Sequence, residues 1–170
     1  MHLNADDFAL FELPRRFALE RAQLDARWKA LLQHAHPDRF ASEGASAQRL
    51  AMQWSVRINE AYQRLKDPLK RAAYWCELNG APIKAESNTA MPAAFLMQQM
   101  EWREALEEAD GADAIEDLLD QTQAFRRDML EQLGRTIDQQ RDAAAAAQQV
   151  RALMFVERFA DDLHSRLDRC

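Results

Sequence analysis

Two imidazoles and a carboxylate fall within five residues in His34-Ala35-His36-Pro37-Asp38. In metalloproteins an H-x-H-x-D run supplies ligands, because neutral imidazole and carboxylate both suit zinc or iron. A binuclear hydrolase centre would also need His and Asp from distant loops. Only His2 and His164 remain, and neither stands in a recognisable ligand spacing. A second reading is structural: His34 and His36 meet the last carbonyls of a helix, and Pro37 stops it. The third is recognition. Pro37 stiffens a turn, so that His36 and Asp38 are presented with little ordering cost. An exposed carboxylate such as Asp38 can then accept charge-assisted hydrogen bonds. Nothing nearby is arranged as a nucleophile with its base, so the expectation is no catalytic residue, no metal, no cofactor and no enzyme.

The surrounding pattern is helical. Residues 8–17 form a brief first helix that packs Phe8, Phe11 and Leu13. From about Glu20 to Ala35, Leu24, Trp28, Leu31, Leu32 and Ala35 recur on one stripe, and Pro37 ends the element. A second long helix runs from about Gln48 to Lys66, with Leu50, Trp54, Ile58, Ala61, Tyr62 and Leu65 inward. Asp67-Pro68 is a stop and restart, with Asp as cap and Pro in the first turn. The short helix that follows reaches about Leu78 and ends at Asn79-Gly80.

Residues 80–92 hold two prolines and no periodicity, and read as a linker between a first domain, 1–79, and a second, 93–170. Three helices follow. The first covers about 93–109 and stops at Asp110-Gly111. The second opens on a capping box of Asp113 and Glu116 and carries Ile115, Leu118, Leu119, Thr122, Phe125, Met129 and Leu133 inward to Gly134. The third runs from about Ile137 to Leu167. Short links between such lengths imply an antiparallel three-helix bundle.

At about 100° per residue, the helix 93–109 has two apolar sides. Phe95, Trp102, Leu106 and Ala109 make the better core. Leu96, Met97 and Met100 are then left exposed beside Glu101, Glu104 and Glu108. A Leu/Met patch edged by one sign of charge reads as a protein-docking surface. On the last helix, Leu153, Val156, Ala160, Leu163 and Leu167 form the stripe. Phe155 lies off it and adds to the docking surface.

Composition limits the alternatives. Val, Ile and Thr number 3, 4 and 3, against 31 alanines, 4 glycines and 5 prolines. Sheets are built from β-branched residues, so the fold is all-α. The net charge is −6. Residues 1–80 hold 12 Lys/Arg against 10 Asp/Glu, and residues 81–170 hold 10 against 18. An acidic chain with no basic stripe excludes nucleic acid as its main ligand, and two charge regimes suggest two different partners. No apolar run reaches the roughly 18 residues of a membrane helix. Cys76 and Cys170 form no disulfide framework, and Cys76 is expected as a small core residue. The expected location is the bacterial cytoplasm.

In its order of elements, helix lengths and tripeptide position, the segment from 5 to 78 resembles a J-domain: an antiparallel helical hairpin plus short helices. The resemblance implies that the His36-Pro37-Asp38 loop, with Arg27, Lys29 and Arg39, engages a DnaK-type chaperone and stimulates its ATP hydrolysis. J-domains usually carry Tyr before the tripeptide and more lysines on the preceding helix; Ala35 and Gln33 stand here, implying a weaker or more selective fit.

A closer resemblance covers nearly the whole chain. FLMQQMEWREALEE at 95–108, His36-Pro37-Asp38-Arg39-Phe40, Asn59-Glu60-Ala61-Tyr62 and Asp67-Pro68-Leu69-Lys70-Arg71-Ala72 are similar to the HscB family, co-chaperones of iron–sulfur cluster assembly. That resemblance implies that the bundle binds the scaffold IscU through Leu96, Met97, Met100, Glu101, Glu104, Glu108 and Phe155, and that the J-domain recruits the specialised chaperone HscA. A general J-domain co-chaperone with a different client is the alternative.

Overall fold

The computed structural model describes residues 3–170. Among them the fold is all-α. Its helices are α1 (Asp7–Leu10), α2 (Arg21–Ala35), α3 (Ala45–Lys66), α4 (Pro68–Leu78), α5 (Ala93–Glu108), α6 (Ala112–Arg135) and α7 (Ala143–Asp168). None of these is long and apolar enough to cross a membrane. The chain divides into two compact units, one up to Arg71 and one from Ala72. The division falls inside α4.

In the first unit, α2 and α3 form a hairpin whose partners run in opposite senses. The Ser55 hydroxyl lies 3.3 Å from Ala35 O. Trp28 Nε1–H donates to Asn59 Oδ1 at 3.0 Å, and the Tyr62 hydroxyl donates to Asp25 Oδ1 at 2.6 Å. The Trp28 and Tyr62 rings stack at 4.2 Å. Leu24, Ile58, Ala61 and Leu65 are fully buried, beneath Phe8 and Phe11 from the α1 region. Asp7, also buried, ties α1 to α3 through Arg57 at 2.7 Å and Arg64 at 3.3 Å. Leu50, expected inward, is 49% exposed. Ala51 takes the inward place, one residue or about 100° round the helix. An apolar type alone does not set a residue's azimuth.

Asp67 caps α4 as expected, its Oδ2 accepting from Lys70 N–H at 2.9 Å. At the other end Ala81 N–H donates to Cys76 O and Gly80 N–H to Glu77 O. This paired closure needs a left-handed residue, and Gly80 supplies it at φ 80°.

In the second unit, α6 and α7 pack along their length over Ile115, Leu118, Met129, Leu133, Val150, Leu153, Val156 and Leu163. The expected capping box is not formed: α6 begins at Ala112 after Gly111, with no side-chain cap. Gly134 does not end the helix either. The chain continues through Arg135 into a wider π turn, Thr136–Gln140, and reverses at Arg141, φ 54°. Asp142 then caps α7 by accepting from Ala145 N–H at 3.1 Å. A glycine permits a helix end but does not enforce one, and here Thr136 and Ile137 are buried on the continuing turn.

Residues 80–92 are held rather than loose. Arg151 on α7, 6% exposed, donates from Nε to Ile83 O and from Nη1 to Ala90 O, both at 3.0 Å. Its Nη2 lies 3.5 Å from Pro82 O. A planar fork with several donors suits three carbonyls that a lysine could not serve together. Replacing Arg151 by Met is expected to lower stability by about 2–3 kcal/mol, since hydrogen bonds to a charged donor are the stronger kind. Urea unfolding of the full chain measures this, and an unchanged midpoint would make the strap incidental. Cys76 is fully buried, and burial pushes its thiol up to about 12, which suits a small core residue and not a reactive one.

Candidate functional site

The loop after α2 is short and self-supported. His36 is extended, φ −64° and ψ 129°, as a residue before proline must be. Pro37–Phe40 makes one 3₁₀ turn. Asp38 N–H donates to His36 Nδ1 at 3.2 Å. With Nδ1 accepting, the neutral ring carries its proton on Nε2, which is left for a partner. Arg39 reaches back to Gln33 O at 3.1 Å, and this holds the turn against the end of α2. The side chains of His36 and Asp38 are 58% and 92% exposed, with His36 Nδ1 and Asp38 Oδ2 3.6 Å apart. So little of either side chain is used internally that both are available for recognition.

The cations expected beside this loop are not equivalent. Arg27 and Lys29 are two residues apart, or roughly 160° round the helix by the shorter way. They therefore flank the outward strip of α2 from opposite edges. Lys29 is exposed. Arg27 is half-buried and paired with Glu12 at 2.8 Å. Another arginine, Arg21, is bound to Asp25 at 3.0 Å. The Tyr62 hydroxyl and then Arg21 hold the Asp25 carboxyl below the usual carboxylate range. The face that α2 offers is thus less basic than its composition suggests.

Among the described residues, no group of three or more His, Cys, Asp or Glu is placed to hold a metal ion. His34 and His36 lie on the helix and in the loop, and His2 lies outside the described residues.

On α5 the two sides expected from the spacing are separated. Phe95 and Trp102 are 3% exposed. They sit in an aromatic cluster in which Phe95 meets Phe125 at 5.7 Å and Trp102 stacks on Phe159 at 5.5 Å. With α5 anchored on that side, Leu96, Met97 and Met100 face solvent at 49%, 63% and 60% exposure. Glu101, Glu104 and Glu108 are exposed beside them.

Phe155 is different. It is half-buried, meets Phe95 edge-on at 5.8 Å and Phe159 at 6.2 Å, and lies under the Arg103 guanidinium at 5.5 Å. It borders the patch and also supports the core, so truncating it removes packing as well as any contact it makes. Spacing alone placed it off the stripe of α7 and gave no sign of the rings from α5.

Sequence reasoning also missed Asp7, Glu12 and Arg151. Each meets partners remote in the chain, and no periodicity connects them.

A helical hairpin closed by an exposed His-Pro-Asp turn, followed by a helical bundle, defines a J-domain protein with an appended helical module. Residues 91–164 match the model of the HSCB C-terminal oligomerisation domain. The co-chaperone HscB homologues of Burkholderia multivorans and Burkholderia mallei are each 50% identical over 98% of this chain and 97% of their own. The solved chaperone HscB of Vibrio cholerae is 36% identical, with a TM-score of 0.79 over 97% of this chain and 99% of that one. Human co-chaperone HscB is similar in fold, with a TM-score of 0.87 over 98% of this chain and 84% of that one, at 23% identity. The chain belongs to the HscB co-chaperone family.

Proposed function

We propose that the chain holds an IscU-type iron–sulfur scaffold on its α5 patch, delivers it to an HscA-type chaperone in the bacterial cytoplasm, and stimulates that chaperone's ATPase through the His36-Pro37-Asp38 turn. The observation that carries this reading is an acid-edged, solvent-facing Leu/Met patch in the same chain as a rigid, exposed His-Pro-Asp turn. The two surfaces lie in different compact units, so one molecule can engage both partners at once. Joining them raises their effective concentration without any new contact.

In this account no bond is made or broken by the chain itself. Asp38 accepts from a cation of the chaperone, and His36 offers its free ring nitrogen. Lys29 and Arg39 add electrostatic attraction. Hydrolysis then takes place in the chaperone and closes it on the scaffold, the cluster being cargo. Glu101, Glu104 and Glu108 steer a basic scaffold surface to the apolar anchors.

Steady-state ATPase of the chaperone, with this protein and scaffold added singly and together, tests the reading. The combination is expected to exceed either addition alone. Scaffold that adds nothing would leave a general J-domain co-chaperone serving another client. Scaffold affinity is also expected to fall by about tenfold between about 0.05 and 0.5 M salt, since the screening length of rim charges shortens over that range from roughly 14 to roughly 4 Å. Calorimetry showing a salt-independent affinity would remove the three glutamates from recognition.

A further inference from the structure

We infer that Glu12 is a specificity-determining residue for the chaperone encounter, because it holds Arg27 away from the face of α2 that the partner meets. The inference rests on the proposed reading, in which that face approaches an acidic chaperone surface.

Three observations meet at Glu12. First, the residue stands where α1 ends in a paired closure: Leu13 N–H donates to Phe8 O at 2.8 Å and Glu12 N–H to Ala9 O at 3.0 Å. That closure requires a left-handed residue, normally glycine, and Glu12 adopts it at φ 55°. A side chain here is tolerated against backbone preference. Second, the side chain is 83% exposed and makes one ion pair, with Arg27 Nη1 at 2.8 Å. Third, the pair stands at an open groove between the α1 turn and α2, lined by Leu10, Phe11, Ala30, Leu31 and His34. The Arg27 side chain is 33% exposed and Ala30, one turn on, is exposed, so a freed guanidinium can swing toward Ala30 and the strip beyond it.

Glu12 is therefore a carboxylate standing in for the partner's own. An approaching acidic surface must displace it before Arg27 can contribute. Partners with a strong acid at that point succeed, and weaker ones meet a face carried by Lys29 and Arg39. Such an exposed pair is worth about two- to fivefold in an equilibrium constant, and less at high salt.

The test uses the full chain, with Glu12→Gly, Glu12→Gln, Arg27→Ala and the double variant Glu12→Gly/Arg27→Ala. Glycine suits the left-handed backbone, so folding is preserved while the carboxylate is removed. The readout is the concentration giving half-maximal stimulation of an HscA-type ATPase, at about 0.05 and 0.5 M salt. Both Glu12 variants are expected to lower it by about two- to fivefold at low salt and by much less at high salt. In the Arg27→Ala background, Glu12→Gly is expected to change nothing. An unchanged midpoint in both Glu12 variants, or the same gain without Arg27, overturns the inference while wild-type stimulation stands. Absence of stimulation by the wild type overturns the chaperone reading and the inference with it.

Discussion

His36→Gln, made in the full chain, is expected to reduce stimulation of the chaperone's ATPase to the unstimulated rate while leaving helix content and scaffold binding unchanged. The reason is local. The His36 side chain is 58% exposed, and its one internal hydrogen bond accepts from the neighbouring Asp38 N–H. Little folding energy depends on it, on the order of 1 kcal/mol at most, since His36 caps only one exposed 3₁₀ turn and the Gln side-chain oxygen can accept in its place. Asp38→Asn is expected to behave alike, because its side chain is 92% exposed and loses only charge. Stimulation that survived both changes, with circular dichroism unaltered, would end the assignment of the turn as a chaperone trigger. A collapse of helix content would instead show that the turn holds α2 and α3 together.

The second large effect is expected on α5. Leu96→Ala, Met97→Ala and Met100→Ala, combined, should weaken scaffold binding by at least about 100-fold, as removal of several central apolar anchors does. The same variant should lose less than about 1 kcal/mol of stability, because all three side chains are about half exposed or more. Trp102→Ala is the contrast, with an expected cost of about 3–5 kcal/mol from emptying the centre of the aromatic cluster. Phe155 is left out of the combination: its contacts with Phe95 and Phe159 would mix lost packing with lost binding. Calorimetric titration with the scaffold, beside urea unfolding, separates the two effects. A large fall in unfolding midpoint for the triple variant would place those residues in the core.

Much of this was legible in the residues. Helical spacing placed Phe95 and Trp102 inward and Leu96, Met97 and Met100 outward, because a helix of known pitch has only one inward side. Asp67-Pro68 and Asn79-Gly80 marked real ends, since caps are local chemistry. The same reasoning failed where a choice was permissive. Gly134 allows a stop, but the burial of Thr136 and Ile137 carried the helix on. Leu50 is apolar, yet Ala51 holds the inward position.

By itself, the sequence determined the helical class, the short turn built on Pro37, and the two-sided nature of α5. These follow from backbone constraints and periodicity within a few residues. Only the tertiary structure decided which charges are free. It committed Arg27 to Glu12, Asp7 to Arg57 and Arg64, and Arg151 to the carbonyls of 82–90. These partners lie between 15 and 69 residues apart in the chain, where no period links them and only packing brings them within hydrogen-bond reach.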